Sequence, residues 1–263
     1  MLHHWDPNPV SGTRQSIFPR TAVTWTAEER LPCTATAPAP APIIRSTHTR
    51  IIPMLQYNSL TVGAFQVNCR FIFNPETKNC VICDPGDDAD RIMAFVSSRG
   101  LNVTAVLLTH GHLDHCGAAA AVAEYYKTGI TGPSREDSMW LDSLPRQAVM
   151  FGLPSCPPLT PDRWLTGGEK LDLGLGEEAD VLHCPGHTPG HVCFHFPLSG
   201  ILLSGDVLFA GSVGRSDFPG GNHEDLISSI RNLIMTLPDS TAVLPGHGPD
   251  TTVGTEREQN PYL

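Results

Sequence analysis

The chain has 263 residues, 40% of them hydrophobic, and a formal net charge of -10. That is enough for one large domain or two small ones with a sizeable core, while the negative balance argues against a broad nucleic-acid or membrane surface. No apolar run reaches the roughly 18 residues of a membrane span, and eight cysteines at irregular spacing do not make a disulfide scaffold.

Residues 1–53 stand apart. They hold eight prolines, including Pro38-Ala-Pro40-Ala-Pro42, five Arg against three Asp/Glu, and no lysine. No periodicity persists there, so the segment reads as a disordered extension or as a start site placed upstream of Met54. It lacks the apolar core of a secretory signal. From Met54 to Leu263 the pattern is that of one folded domain. Apolar, β-branched runs fall at 55–62, 66–73, 79–83, 104–109, 180–184, 191–196, 201–205 and 241–245. Helical patterns fall at 87–99, 115–128, 134–142 and 223–237, with Asn222 as the N-cap of the last. The proline-rich stretch 143–168 reads as an ordered loop insertion. Meander-like early strands followed by mixed strands and helices predict an α/β sandwich. Cys69, Cys83 and Cys193 sit inside apolar runs, which points to reduced thiols and a cytoplasmic location. Cys80-Val-Ile-Cys83 lies in a strand pattern with no second pair, so it reads as structural.

Chemistry collects where strands end. Ala105-Val106-Leu107-Leu108 runs into His110, His112, Asp114 and His115. Val181-Leu182 leads to His187, Ile201-Leu202-Leu203 to Asp206, and Ala242-Val243-Leu244 to His247. Ligands on short glycine-bearing loops at strand ends can converge on one rim of a sheet. Five imidazoles and two carboxylates suit zinc, iron or manganese. Seven ligands exceed one tetrahedral ion and match two ions with one bridging carboxylate. His110 and His112 share an alternation phase and can chelate one ion, which leaves Asp114 and His115 to turn toward the other. Around them, Asp84 at a strand end and His191 after Thr188-Pro189-Gly190 are candidates to orient ligands. Arg215, with Ser216 and Asp217, is a candidate to line the substrate mouth or to hold its own loop through an Arg–Asp pair. His183 and His195 read as core or surface histidines.

HGHLDH, HCPGHTPGH, SGDVLF, GRSDFPGG and LPGHGP resemble the metallo-β-lactamase superfamily, and within it the short bacterial branch of the type II glyoxalases, the hydroxyacylglutathione hydrolases. The resemblance runs from Met54 to the end and implies a four-layer αββα sandwich with the metals at one edge of the two sheets. It assigns His110, His112 and His187 to a first metal, Asp114, His115 and His247 to a second, and Asp206 to the bridge, with Asp114 and Asp206 as the catalytic carboxylates. It implies two divalent ions, zinc first with iron or manganese as alternatives, and a small-molecule thioester substrate such as lactoylglutathione in methylglyoxal detoxification. Hydroxide held between the ions would attack the thioester carbonyl. The leaving thiolate, with a thiol pKa of about 8.5, needs no dedicated acid. Class B β-lactamases commonly carry a cysteine ligand where Asp206 stands, which argues against antibiotic hydrolysis. Longer type II glyoxalases add a C-terminal helical domain that grips glutathione, and about 16 residues follow His247 here, so that grip does not carry over. GRSDF also resembles the GRTDFQ loop of the mononuclear iron persulfide dioxygenases. Pro219-Gly220-Gly221 in place of glutamine, and His247 in a PGHG context, favour the hydrolases. The residues point to no nucleic-acid or membrane partner and leave the oligomeric state open.

Overall fold

The computed structural model describes residues 54–263; the expectation for residues 1–53 lies outside them. The first alternating run folds back on the second. β1 (Gln56–Val62) pairs antiparallel with β2 (Val67–Phe73), from Gln56↔Phe73 to Val62↔Val67. β3 (Asn79–Cys83) adds antiparallel to β2. Beyond it the strands run parallel and need helical crossovers. α1 (Ala89–Ser98) leads to β4 (Asn102–Leu107), and α2 (Leu113–Cys116) with α3 (Ala119–Tyr126) to β5 (Ile130–Ser134). α4 (Ser138–Asp142) and α5 (Leu144–Phe151) then lead to β6 (Arg163–Leu165), completing a six-stranded sheet in order 1-2-3-4-5-6. The second sheet takes β7 (Lys170–Asp172), β8 (Glu178–His183), β9 (Val192–Phe196) and β10 (Ile201–Gly205) in an antiparallel run. β13 (Ala242–Pro245) joins β10 in parallel and β14 (Thr251–Thr252) closes the edge. The short hairpin of β11 (Leu208–Phe209) and β12 (Ser212–Val213) lies between β10 and α6 (His223–Ser229) in the chain. α6 continues as a π segment over Ile230–Ile234, and α7 (Val253–Gln259) follows β14.

Three apolar layers explain the composition of the strands. Ile72, Val81 and Leu107 of the first sheet meet Val181, Phe194 and Leu203 of the second. Cys69, Phe71 and Ile82 face the other way, onto Ile92, Val96 and Val122 of the first helical layer. Cys193, Leu202 and Val243 face Leu226, Ile230 and Val253 of the second. Both faces of each sheet are therefore covered, which makes central strands read as continuous apolar runs; β2 is buried along its whole length. This is the four-layer αββα sandwich.

The structure corrects three element expectations. The stretch 143–168 holds α5 and β6 rather than loop alone. Pro145 sits in the first turn of α5, where its missing N–H is no loss, and Gly152 ends the helix at φ 65°. The helix expected over 115–128 breaks between α2 and α3, where Ala118 N–H bonds to Pro85 O (3.0 Å) and leaves the helical ladder. The pattern at 134–142 begins as the end of β5 and a 3-10 turn at Arg135–Asp137 before α4. Asn222 caps α6 as expected, its side chain accepting from Glu224 N–H and Asp225 N–H. Among the described residues no helix is long and apolar enough to cross a membrane.

Candidate metal centre

β3 and β4 are parallel, and β8, β10 and β13 share one direction, since β8 and β10 each pair antiparallel with β9. Their carboxyl ends meet at one rim. β3 delivers Asp84, β4 delivers Thr109 to His115, and β8, β10 and β13 deliver His187, Asp206 and His247 in turn. His112 is extended (φ -74°, ψ 147°) and Leu113 opens the one-turn helix α2. That switch from extended to helical backbone lets one short segment serve two directions. All seven strand-end residues predicted as ligands come together.

Two triads form. His112 Nδ1 lies 3.0 Å from both His110 Nε2 and His187 Nε2. In the second, Asp114 Oδ2 lies 3.2 Å from His247 Nε2 and 3.7 Å from His115 Nε2. Asp206 stands between them. Its Oδ1 is 3.4 Å from His115 Nε2, and its Oδ2 is 3.7 Å from His187 Nε2 and 3.6 Å from His247 Nε2.

The far sides of the rings fix which nitrogen faces inward. His187 Nδ1 donates to Arg215 O at 2.7 Å, so its Nε2 carries the lone pair. His115 Nδ1 donates to Asp84 Oδ2 at 2.9 Å, which leaves its Nε2 facing the cluster. Asp84 is buried and also accepts from Thr109 N–H (2.8 Å) and Thr109 Oγ1–H (2.7 Å). His191 Nε2 accepts from Asp206 N–H (3.0 Å), and its ring stacks on His110 with centroids 4.9 Å apart. The Arg215 side chain is exposed, pairs with Asp217 and lies over the Phe218 ring at 4.5 Å, while its backbone carbonyl meets the cluster. His183 is half-buried and bonds Pro189 O, and buried His195 lies near Asp180. Cys80 and Cys83 are buried in β3, and burial pushes the Cys80 thiol up to about 12.

The donor set fits cations. His115 Nε2 and Asp206 Oδ1 are buried, face each other, and have no hydrogen-bond partner. A ring nitrogen and a carboxylate oxygen facing each other there are satisfied by a positive charge between them, a proton or a metal ion. The 3.0 Å nitrogen spacing in the first triad is close to the ~3.3 Å edge of a tetrahedron with zinc–nitrogen bonds. Protonation divides the cluster: the His110 and His112 imidazoles are held neutral, while His115 is held charged by the carboxylates around it. Burial, with the other imidazoles, holds His110 well below its usual value and His112 at about 3, so both present lone pairs at neutral pH. At His115 burial opposes charge, but Asp206, Asp114 and Asp84 outweigh it and raise the pKa. Burial would raise Asp206, yet His115, His187 and His247 hold it below the usual carboxylate range.

Glycine makes the closeness possible. A Cβ on Gly246 would stand 2.3 Å from Asp206 Oδ1 and 2.6 Å from the His115 ring. Gly205 has φ +49°, and a Cβ there would lie 2.5 Å from His191 Nε2.

Several supporting residues escaped the sequence reading. Asp137, buried at the head of α4, bonds Gly111 and Gly190. Asn68 and Arg70 of β2 donate to Pro245 O, holding the turn that carries His247. Gln147 of α5 accepts from Leu113 N–H at 2.9 Å. Phe218 and Trp140 set their rings edge-on to His112 at 4.8 and 4.5 Å. The one available signal was polar residues inside β2, at Asn68 and Arg70, where both faces of the strand are covered.

Residues 62–247 match the model of the metallo-beta-lactamase superfamily. Among curated proteins, the chain is 45% identical over 205 residues to the hydroxyacylglutathione hydrolase GloC of Haemophilus influenzae, covering 78% of this chain and 96% of that one. Among solved structures, it resembles the BLEG-1 B3 metallo-beta-lactamase (TM-score 0.74, 37% identity, 79% of this chain and 99% of that one). It also resembles TTHA1623 in a di-iron-bound form (TM-score 0.71, 38% identity, 78% and 100%). ETHE1 from Myxococcus xanthus is more distant, at TM-score 0.63 and 26% identity over 78% and 83%.

Proposed function

From the premise that the chain belongs to the metallo-beta-lactamase superfamily and is a metal-dependent hydrolase, we propose that it cleaves small-molecule thioesters, with a hydroxyacylglutathione such as lactoylglutathione as the leading substrate. The observation that carries this reading is the pair of donor triads joined by one carboxylate. In this reading His110, His112 and His187 would hold a first divalent ion, Asp114, His115 and His247 would hold a second, and Asp206 would serve both. Zinc is the first choice, with iron or manganese also suited to this nitrogen–oxygen set. Two such ions supply hydroxide at neutral pH and polarise a carbonyl oxygen.

The chain's own residues do the rest. Asp84 and the Arg215 carbonyl fix the tautomers of His115 and His187, so that lone pairs and not protons face the cluster. Phe218 and Trp140 wall one side of the site with apolar rings and keep bulk water off that side. No separate acid–base pair is needed, because a thiol of pKa about 8.5 leaves as its thiolate. Support for a glutathione thioester comes from the curated hydroxyacylglutathione hydrolase that is 45% identical over 205 residues. The cytoplasm, where such thiols are abundant, fits seven buried free cysteines among the described residues.

Metal content per chain and hydrolysis of lactoylglutathione, measured on one sample, test the proposal. About two equivalents with turnover are expected. One equivalent of iron, oxygen uptake with a persulfide and no hydrolysis would replace it with the dioxygenase chemistry. Turnover of a β-lactam in preference to thioesters would also overturn it.

A further inference from the structure

The first triad is assembled from two sheets. His110 and His112 follow β4 of the first, and His187 follows β8 of the second. Two loops must therefore be held at one spacing for three nitrogens to meet. Asp137 lies where these loops face each other. Its Oδ2 accepts from Gly111 N–H and from Thr188 Oγ1–H, both at 2.8 Å. Its Oδ1 accepts from Gly190 N–H at 2.6 Å. Gly111 sits between His110 and His112, and Thr188 adjoins His187, so one carboxylate is bonded beside all three ligands.

The fit is close and specific for a carboxylate. Asp137 is fully buried, and all three of its partners are donors, which an acceptor-only group satisfies. A Cβ on Gly190 would lie 2.8 Å from Asp137 Oδ1, and one on Gly111 would lie 3.1 Å from Asp137 O. Glycine at both positions lets the two loops close on the Asp137 segment, Gly190 on its carboxylate and Gly111 on its backbone. Other links cross the same gap, since Val192 N–H bonds Thr109 O (2.8 Å) and Ser134 N–H bonds Gly190 O (3.0 Å). Those attach outside the His110–His112 segment, whereas the bond to Gly111 acts between the ligands themselves. The second triad has other supports, Asn68 and Arg70 at the His247 turn and Asp84 on His115, though Asp84 also bonds Thr109 beside His110.

We propose that Asp137 is a positioning residue that sets the geometry of the His110/His112/His187 triad by bonding both loops that carry it. The inference rests on that triad being a metal site. Its effect is local: replacing Asp137 weakens metal binding at the first triad and spares the second.

The test is zinc titration of the metal-free full chain against a competing chelator, in two backgrounds. His247→Ala leaves the first triad intact, and His187→Ala leaves the second. Asp137→Asn keeps the shape but sets an NH2 group against one of the three donors. It is expected to weaken zinc about 10- to 100-fold in the His247→Ala background, the range for a lost partner of a ligand. In the His187→Ala background the change is expected to stay within about twofold, the scatter of independent sites. Equal weakening in both backgrounds would mean a general structural role, and no change in either would mean a bystander; each overturns the proposal. Thr188→Val, which removes one of the three bonds, is expected to act in the same direction more weakly, and carries the test if Asp137→Asn does not fold. The titration is independent of turnover. A wild-type chain that binds two zinc ions but leaves thioesters intact would sink the function proposed above and leave Asp137 to be judged on binding alone.

Discussion

At the residue scale, the centre depends on partners that never touch a metal. Asp84 has φ 52°, a left-handed conformation uncommon for a residue with a side chain. Its N–H bonds Leu107 O at 3.0 Å while its carboxylate spans Thr109 and His115. Asp84→Ala frees the His115 ring and its tautomer, so zinc affinity is expected to fall about 10- to 100-fold, measured by chelator competition. Asp137 adds a pH signature. Burial raises its pKa from 3.8 to about 6, against the lowering effect of its three donors. A raised folded-state value means that the contribution to stability is full below the unfolded value near 3.8 and is lost as pH rises through about 6. In metal-free protein, the stability difference between wild type and Asp137→Asn should therefore move in favour of the wild type on going from pH 7.5 to pH 5. Urea midpoints at the two pH values check this. A difference that is flat with pH would mean that Asp137 ionises normally.

At the element scale, turns and strands decide how near the ligands come. Gly246 is at the end of β13, and its missing Cβ is the room that Asp206 and His115 occupy. Gly246→Ala is expected to leave circular dichroism near that of wild type and to reduce metal content to one equivalent or less. Retention of two equivalents would show that the turn has slack. β2 supports the same turn from below. Arg70 is buried, bonds Pro245 O at 2.7 Å, and pairs with Asp250 at 2.6 Å. Arg70→Met leaves that carbonyl and the adjoining turn without this support. The expected result is a loss of stability of about 1–3 kcal/mol, the range for a buried acceptor that loses its donor, with metal loss at the second triad before the first. Denaturant unfolding and metal titration read the two effects separately.

At the scale of the whole molecule, residues 54–263 build both sheets, both helical layers and the complete donor set. We propose that these residues form the hydrolase domain. A chain beginning at Met54 is then expected to keep the thermal midpoint, metal content and thioester turnover of the full chain. A shorter chain that aggregates or loses metal would assign residues 1–53 a part in the domain.

Much of this was legible in the residues because strand-end chemistry is local. Each ligand lies within a few residues of an apolar run, and HGHLDH carries four of the seven in one segment. The apolar runs also mark the central strands, since both faces of each sheet are buried. Elements without that signature were not legible. β5 carries glycine and proline, and α5 lies among prolines that mask its helical period. The supports were the least visible. Asp137, Asn68 and Arg70 are ordinary polar residues in sequence, and Asp137 is bonded to residues 26 to 53 positions away. The sequence by itself determined the donor types, their strand-end placement and the family. Tertiary structure alone decided how near the ligands come, which ring nitrogen faces inward and which side chains hold the loops. Those depend on two sheets meeting at one rim, a spacing that no local stretch of chain contains.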